Sequence, residues 1–423
     1  MSAHDDVRRR IEVVWRIEAP RLIAGLTRML HDLGLAEEMT QDALVAALET
    51  WPLNGIPARP GAWLMTTARR RAIDYLRRDT LAARKHAQVG YELTLLQHAD
   101  DADVEQDEGI GDDLLRLMFT ACHPVLSTDA RVALTLRVLG GLSTPEIARA
   151  FLVPEATIAQ RIVRAKRTLA EKQVPFALPP VGELAARLAS VLEVIYLIFN
   201  EGYAATVGTD WMRPALCEQA LRLGRVLTSL APREPEVYGL VALMELQASR
   251  FRARIDAQGD PVLLAQQDRA CWDTARIRRG LAALARAQAL GGEDGPYALQ
   301  AALAACHARA ERYTATDWPR IAALYARLAQ VAPSPVVELN RAVAVAMVDG
   351  AQAGLSVLDA LVGEPRLADY HLLPSVRGEL LATLGRNAEA RAAFEQAAAL
   401  TGNTRERAVL ARRAAACVHR HPD

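Results

Sequence analysis

Between residues 69 and 78 the chain carries five arginines, Arg69, Arg70, Arg71, Arg77 and Arg78, with Asp74 as their single carboxylate. A guanidinium stays charged at any physiological pH and presents a planar fork of donors that matches a phosphate. The surrounding text, GAWLMTTARRRAIDYLRR over residues 61–78, has no glycine or proline after its start, so its spacing predicts a single helix. At 100° per residue, Met65, Ala68, Ala72 and Leu76 share one stripe, and Arg70, Asp74 and Arg77 fall near the opposite pole. Arg71 and Arg78 lie on one flank and Arg69 on the other. A helix with an apolar back and a guanidinium comb in front has the chemistry for nucleic-acid backbone contact.

A second set of such groups follows a different signal. Ser143-Thr144-Pro145-Glu146 is a capping box, in which the Ser143 hydroxyl accepts from the Glu146 N–H and the Glu146 carboxylate reaches back to Ser143. It fixes a helix start after the Gly140-Gly141 break. Ile147, Ala148 and Phe151 turn inward, Pro154 opens the next helix, and Ile158, Ile162, Ala165 and Leu169 form that helix's buried stripe. Thr157, Gln160, Arg164 and Arg167 project from the other side, with Arg161 on the flank. A short helix, a tight turn and a second helix showing hydroxyl, amide and guanidinium groups read as a helix-turn-helix. Thr and Gln hydrogen-bond base edges; Arg pairs with guanine or holds phosphate.

The elements that position these groups follow from the rest of the chain. Before the first arginine cluster, residues 35–51 (LAEEMTQDALVAALETW) form an amphipathic pattern with Glu37 and Glu38 at its start, where carboxylates suit the helix dipole. Leu44 and Leu48 are expected to pack inward, leaving Glu38, Gln41, Asp42 and Glu49 for solvent or a partner. Between the two basic units, residues 91–113 hold nine carboxylates and no Lys or Arg, the composition of a linker. The neutral total of 50 basic and 50 acidic residues therefore conceals two basic units on an acidic tether. Three prolines in residues 175–180 mark another boundary. Beyond it lies an Ala- and Leu-rich region with turn signals at Gly291-Gly292, Pro333-Ser334-Pro335 and Asp349-Gly350.

That region carries a degenerate repeat. Gly378, Gly385, Ala390, Phe394 and Ala397 have the spacing of small and aromatic positions in a tetratricopeptide helix pair. Ala342, Asp349, Gly354, Leu358 and Leu361 repeat it loosely, and Tyr325, Leu328 and Pro333 fit the end of an earlier unit. With aromatics at only 5% of 423 residues, the expected class is all-α. The organisation expected is a helical bundle over residues 1–88, an acidic linker over 89–113, a helix-turn-helix domain over 114–174 and a helical-repeat extension over 181–423.

Other classes fit poorly. No apolar run reaches membrane-spanning length, the first thirty residues lack a secretory pattern, and a cytoplasmic protein is expected. Cys122, Cys217, Cys271, Cys306 and Cys417 show no C-x-x-C spacing and read as buried thiols, with no metal or cofactor implied. Asn200-Glu201-Gly202-Tyr203, His307 and His371 have neither triad nor ligand spacing, and no phosphate loop occurs, so an enzyme is not expected. A polymerase-independent helix-turn-helix regulator with a repeat sensor domain is the alternative, but it would have no need of the first basic unit.

Both units together resemble the extracytoplasmic-function sigma factors of bacterial RNA polymerase. Trp63-Leu64, Ala68-Arg69, Arg71-Ala72-Ile73-Asp74 and Leu76-Arg77-Arg78 look like region 2. Gly141-Leu142-Ser143, Glu146-Ile147-Ala148, Thr157-Ile158, Arg161, Arg164-Ala165 and Leu169 look like region 4. The extension is similar to that of a subgroup with a tetratricopeptide-like domain behind region 4. The resemblance implies core RNA polymerase and promoter DNA as partners, with no membrane. The helix of residues 35–51 would dock on the β′ clamp helices, through Glu38, Gln41, Asp42 and Glu49, and the β flap would be a further contact. Trp63, Arg69, Arg70, Arg71, Asp74, Arg77 and Arg78 would serve the −10 element; Thr157, Gln160, Arg161, Arg164 and Arg167 would read the −35 element. The linker would lie in the polymerase channel, and the extension would take an intramolecular or protein partner and regulate activity. Ala156 stands where many members have Gly, and the variable loop 53–59 yields no base-capturing residue.

Overall fold

The computed structural model describes residues 3–84 and 106–417. The chain divides into two compact units, residues 1–195 and 196–423. The regular structure of the described residues is helical, apart from one short pair of strands and an isolated bridge between Ile255 and Pro261.

In the first unit, α1 (Ala3–Leu30), α2 (Leu33–Asn54) and α3 (Pro60–Arg84) pack together, and α4 (Gln106–Ala121) packs on α1. Asp32 caps α2 by accepting from the Leu35 N–H at 2.9 Å. The shared core is built from small residues facing large ones: Ala36, Ala43 and Ala47 of α2, Ala68 and Ala72 of α3, and Ile11, Leu22, Leu26, Leu64 and Trp51 are all buried. Met65 is only partly buried against this core, and Leu64 holds the inward place beside it. Leu48 does not pack inward as its spacing suggests: it is 41% exposed beside Val45 at 50%, because Ala43 and Ala47 hold the close approach. The acidic linker also ends sooner than its charge suggests. Residues 106–113 are the first turns of α4, where Asp113, 3% exposed, pairs with Arg28 at 3.3 Å and Arg116 at 2.9 Å. The remainder of that acidic stretch, residues 89–105, lies outside the described residues.

The helix-turn-helix follows as α5 (Thr128–Val138), α6 (Thr144–Phe151) and α7 (Glu155–Glu171). The first half of α8 (Val181–Tyr203) belongs with them. There Arg187 donates to the Phe119 carbonyl at 2.8 Å, Ser190 donates to the Cys122 carbonyl at 2.7 Å, and Arg131 reaches Ser190 at 2.6 Å and Glu193 at 2.9 Å.

The second unit takes in the end of α8, β1 (Val207–Gly208), α9 (Pro214–Leu230), α10 (Pro235–Ala248), α11 (Thr274–Ala289), α12 (Pro296–Arg309), α13 (Trp318–Val331), α14 (Pro335–Asp349), α15 (Ala351–Asp359), α16 (Leu372–Thr383), α17 (Asn387–Leu400), β2 (Gly402–Asn403) and α18 (Thr404–Ala416). From α9 to α18 the helices pack on their sequence neighbours, the pattern of a repeat array. Small positions allow the close approach that the repeat spacing implies. A Cβ on Gly378 would lie 2.8 Å from the Phe394 ring, and one on Gly354 would lie 2.5 Å from the Ala346 Cβ.

Two features lie outside the repeat. Glu245, 1% exposed, accepts from Arg225 at 3.1 Å and Arg279 at 3.2 Å, so a buried carboxylate ties α10 to α9 and α11. The array is also clasped end to end, since β1 pairs in parallel with β2. The buried Asn403 side chain donates to the carbonyls of Ala205 at 3.3 Å and Asp210 at 3.0 Å, and it accepts from the N–H groups of Arg405 and Glu406. Four of the five cysteines are buried; Cys271 is exposed, because its short turn of 3-10 helix lies at the surface of the α10–α11 connection.

His307 makes this unit sensitive to acid. Its ring stands edge-on to Trp318 at 5.3 Å, and burial, reinforced by the charges of Arg250 and Arg269, pushes its pKa down from 6.5 to about 4. The unfolded chain therefore takes up this proton first as pH falls. The histidine's contribution is complete above pH 6.5 and is lost progressively toward pH 4. Denaturant melts at pH 7 and pH 5 should differ by on the order of 1–2 kcal/mol through this group. His307→Phe should remove that part of the difference, and an unchanged pH dependence would refute the assignment.

Candidate nucleic-acid interface

On α3 the burial of Leu64, Ala68 and Ala72 turns Arg70, Asp74, Arg77 and Arg78 outward, all exposed, with Arg69 and Arg71 half-buried at the flanks. Arg78 is steadied by donating to the Asp74 carbonyl at 3.2 Å. Arg71 pairs with Asp42 of α2 at 2.9 Å. The structure thus joins a residue expected to face nucleic acid to one expected to face a protein partner. Trp63 is half-buried, edge-on to the buried Trp51 at 5.4 Å. Glu38 and Glu49 of α2 are exposed, while Gln41 turns to Glu37 and donates to it at 2.8 Å.

The capping box forms as the sequence dictates. Ser143 Oγ accepts from the Glu146 N–H at 3.4 Å, and Glu146 Oε2 accepts from the Ser143 N–H at 2.8 Å. Gly141, at φ +67°, carries the chain past α1, where a Cβ would lie 3.4 Å from the Arg16 Cα. Glu146 also pairs with Arg16 at 2.9 Å. Burial pushes the Glu146 carboxyl up, but the Ser143 hydrogen bonds and Arg16 outweigh it and hold the pKa below the usual carboxylate value. The turn into α7 is made by Leu152 in the left-handed conformation, at φ 51°.

Burial of Ile158, Ile162, Ala165 and Leu169 leaves Gln160, Arg164 and Arg167 of α7 exposed and Thr157 half-exposed. Val163, 63% exposed, lies on the same face, one turn from Gln160 and from Arg167. An apolar side chain there suits contact with a thymine methyl, and the hydroxyl, amide and guanidinium pattern alone does not reveal it. Two arginines have intramolecular partners: Arg161 pairs with Asp129 at 2.8 Å, and Arg167 with Glu171 at 2.6 Å.

One residue at the centre of this unit is absent from the sequence-derived set. Glu37, in the first turns of α2, is 5% exposed. Its carboxylate accepts from Arg137 of α5 at 2.5 Å and also pairs with Lys166 of α7. Burial pushes the Glu37 carboxyl up, and the charges of Lys166 and Arg137 overcome this, so its pKa lies below the usual carboxylate value. The only signal in the sequence is an acidic pair at a helix start, which the dipole explains equally well.

A helical bundle with an arginine comb, followed by a capped helix-turn-helix with an exposed polar and cationic face, has the make-up of a DNA-binding protein. Residues 15–81 match Sigma-70 region 2, residues 116–169 match Sigma-70 region 4, and residues 187–288 match a family of unknown function. The uncharacterized protein R00370 of Rhizobium meliloti is 45% identical over 396 residues, 92% of each chain. The ECF RNA polymerase sigma factor SigK of Mycobacterium ulcerans is 30% identical over 154 residues, covering 35% of this chain and 78% of that protein. SigK of Mycobacterium tuberculosis matches to the same extent. The chain belongs to the extracytoplasmic-function sigma factors and carries a C-terminal extension. Its function is transcription initiation, and its partners are core RNA polymerase and promoter DNA. Among the described residues no helix is long and apolar enough to cross a membrane.

Proposed function

We propose that α3 holds the −10 element and that α7 reads the −35 element while α2 docks on the β′ clamp helices. The observation that carries this reading is the pair of separate cationic faces, each backed by a buried apolar stripe, on α3 and α7. Arg69, Arg70, Arg71, Arg77 and Arg78, with Trp63 and Asp74, serve the first; Thr157, Gln160, Arg161, Arg164 and Arg167 serve the second. Glu38, Gln41, Asp42 and Glu49, with exposed Val45 and Leu48 between them, suit a protein contact that is apolar at its centre and charged at its rim. Region 4 would meet the β flap. No catalytic step is assigned to the chain, and it would act in the cytoplasm. The extension, an array of stacked helices, regulates the sigma core by contact with it or with a protein partner.

Purified chain should co-elute with core polymerase and start transcripts at a cognate promoter. Failure of both would refute the reading. Within it, Arg70 and Arg77 are exposed and opposite the buried stripe, so Arg70→Ala with Arg77→Ala should leave the melting curve unchanged and weaken open-complex formation. Each lost phosphate contact should reduce the salt slope of binding by about one counterion. An unchanged salt slope and unchanged transcription would remove α3 from the interface.

A further inference from the structure

Three arginines gather where α10 gives way to the α10–α11 connection, and among the described residues none of them pairs with a carboxylate. Arg254, 4% exposed, lies over the Tyr203 ring at 3.3 Å and the Trp211 ring at 4.2 Å, and donates to the Tyr203 carbonyl at 2.5 Å. Arg250 and Arg269, both half-buried, lie over the Trp272 ring at 5.4 Å and 4.7 Å. Arg269 caps the end of α12 by donating to the His307 and Ala310 carbonyls. Arg250 has only amide oxygens, those of Gln267 at 3.1 Å and Gln247 at 3.3 Å. The acids close to them in the chain are engaged elsewhere. Asp256, Asp268 and Asp273 accept from backbone N–H groups, Asp260 pairs with Arg405 and Arg412, and Glu245 holds Arg225 and Arg279.

Gathered like charges are costly. Burial pushes the Arg254 pKa down to about 10, with Arg250 adding to the effect, and burial and Arg250 together lower that of Arg269. Stacking on the rings and helix-end carbonyls offsets part of this cost for Arg254 and Arg269, but Arg250 has no such carbonyl. Two buried polar atoms of the same cluster also have no hydrogen-bond partner among the described residues: Nε1 of Trp272, a residue 5% exposed, and Nδ1 of His307, which lies in the field of Arg250 and Arg269. An indole N–H only donates, and a neutral imidazole donates from whichever nitrogen carries its proton. Unpaired buried donors beside unpaired guanidiniums are the donor set of an oxyanion site. We infer that Arg250, Arg269, Trp272 and His307 form a binding site in the extension for a phosphate dianion, taken up as the free ion or as a monoester. A carboxylate would offset one of the two half-buried guanidiniums, whereas a dianion offsets both and suits their planar forks. The bound anion would tie the end of α10 to the end of α12. This goes beyond the contact proposed for the extension and does not depend on the promoter roles of α3 and α7.

The test is calorimetric titration of the full chain, at about pH 7.5 and constant ionic strength, with inorganic phosphate, O-phosphoserine and acetate. Phosphate or phosphoserine should bind saturably at one site per chain, with acetate weaker by about tenfold or more. Tighter binding of phosphate would assign the free ion, and tighter binding of phosphoserine an ester. Arg250→Gln should weaken the tighter of the two by about tenfold or more with little change in the melting curve, since Arg250 itself bonds only to two glutamines. Trp272→Phe keeps an aromatic ring under both guanidiniums and removes the N–H, so it should also weaken binding and provides a second variant if the first fails to fold. Arg70→Ala with Arg77→Ala should leave this binding unchanged, which separates the site from the α3 face. No saturable binding at millimolar phosphate or phosphoserine would overturn the site. So would acetate bound equally well, or affinity that survives both Arg250→Gln and Trp272→Phe. Co-elution with polymerase is read separately, so failure here leaves the sigma reading standing.

Discussion

Ending the chain after Gln173 should abolish transcription and lower the melting temperature of region 4 itself, whereas ending it after Ile195 should leave region 4 folded. The difference lies in α8. Its first half is pinned to region 4 by Arg187 on the Phe119 carbonyl, by Ser190 on the Cys122 carbonyl, and by Arg131 on Ser190 and Glu193. It also buries Leu188, Val191, Leu192, Val194 and Ile195. Each of those hydrogen bonds contributes on the order of 1 kcal/mol, together a sizeable part of the margin of an ordinary domain. Cutting ahead of the proline-rich connector therefore confuses loss of the extension with loss of region 4. The cut after Ile195 isolates regulation: it should retain core binding and lose promoter-dependent transcription by about tenfold or more, the size of an ordinary allosteric coupling. Equal transcription from this folded truncation and from the full chain would leave the extension without a regulatory role.

On a −35 duplex, Gln160→Ala and Arg164→Ala should each cost about 1–3 kcal/mol with the cognate sequence and less with a scrambled one. Arg161→Ala should cost less than either, because Asp129 already holds that guanidinium at 2.8 Å. Asp129→Asn should make Arg161 available and strengthen binding to any duplex, with a steeper salt slope. Anisotropy titrations of the cognate and scrambled duplexes at fixed ionic strength distinguish these outcomes. Equal losses on both DNAs would reduce Gln160 and Arg164 to positioning contacts.

What the sequence makes legible is local. The capping box needs only Ser143 and Glu146, three residues apart, and it forms. The stripe on α7 needs only helical periodicity, and Ile158, Ile162, Ala165 and Leu169 are all buried. Gly378 and Phe394 meet as the repeat spacing implies, since the helix pair is a local hairpin. Contacts closed by distant chain are not legible in the same way. Glu37 finds Arg137 one hundred residues on, so it is buried where spacing alone would leave it exposed beside Glu38. Asp113 is drawn into α4's packing by Arg28, although its composition belongs to a linker. Leu48 is a strong apolar residue on an amphipathic helix, but the neighbouring alanines decide which face approaches α3. Val163 reads as one more aliphatic residue in a helix until the buried stripe is placed.

The clasp between β1 and β2 changes how the extension should respond to force and denaturant. An open array of helix pairs frays from its ends, because each terminal repeat has one neighbour and unfolds with little regard for the others. Here Asn403 bonds to Ala205 across 198 residues, so neither end is terminal in that sense. Opening one repeat then strains the joint that holds the far end, and the repeats should melt as one transition instead of peeling in sequence. The same joint carries a kinetic cost, since a contact of such long range forms late. During synthesis the array should stay provisional until Asn403 and its neighbours emerge, making that late contact the event that fixes the extension.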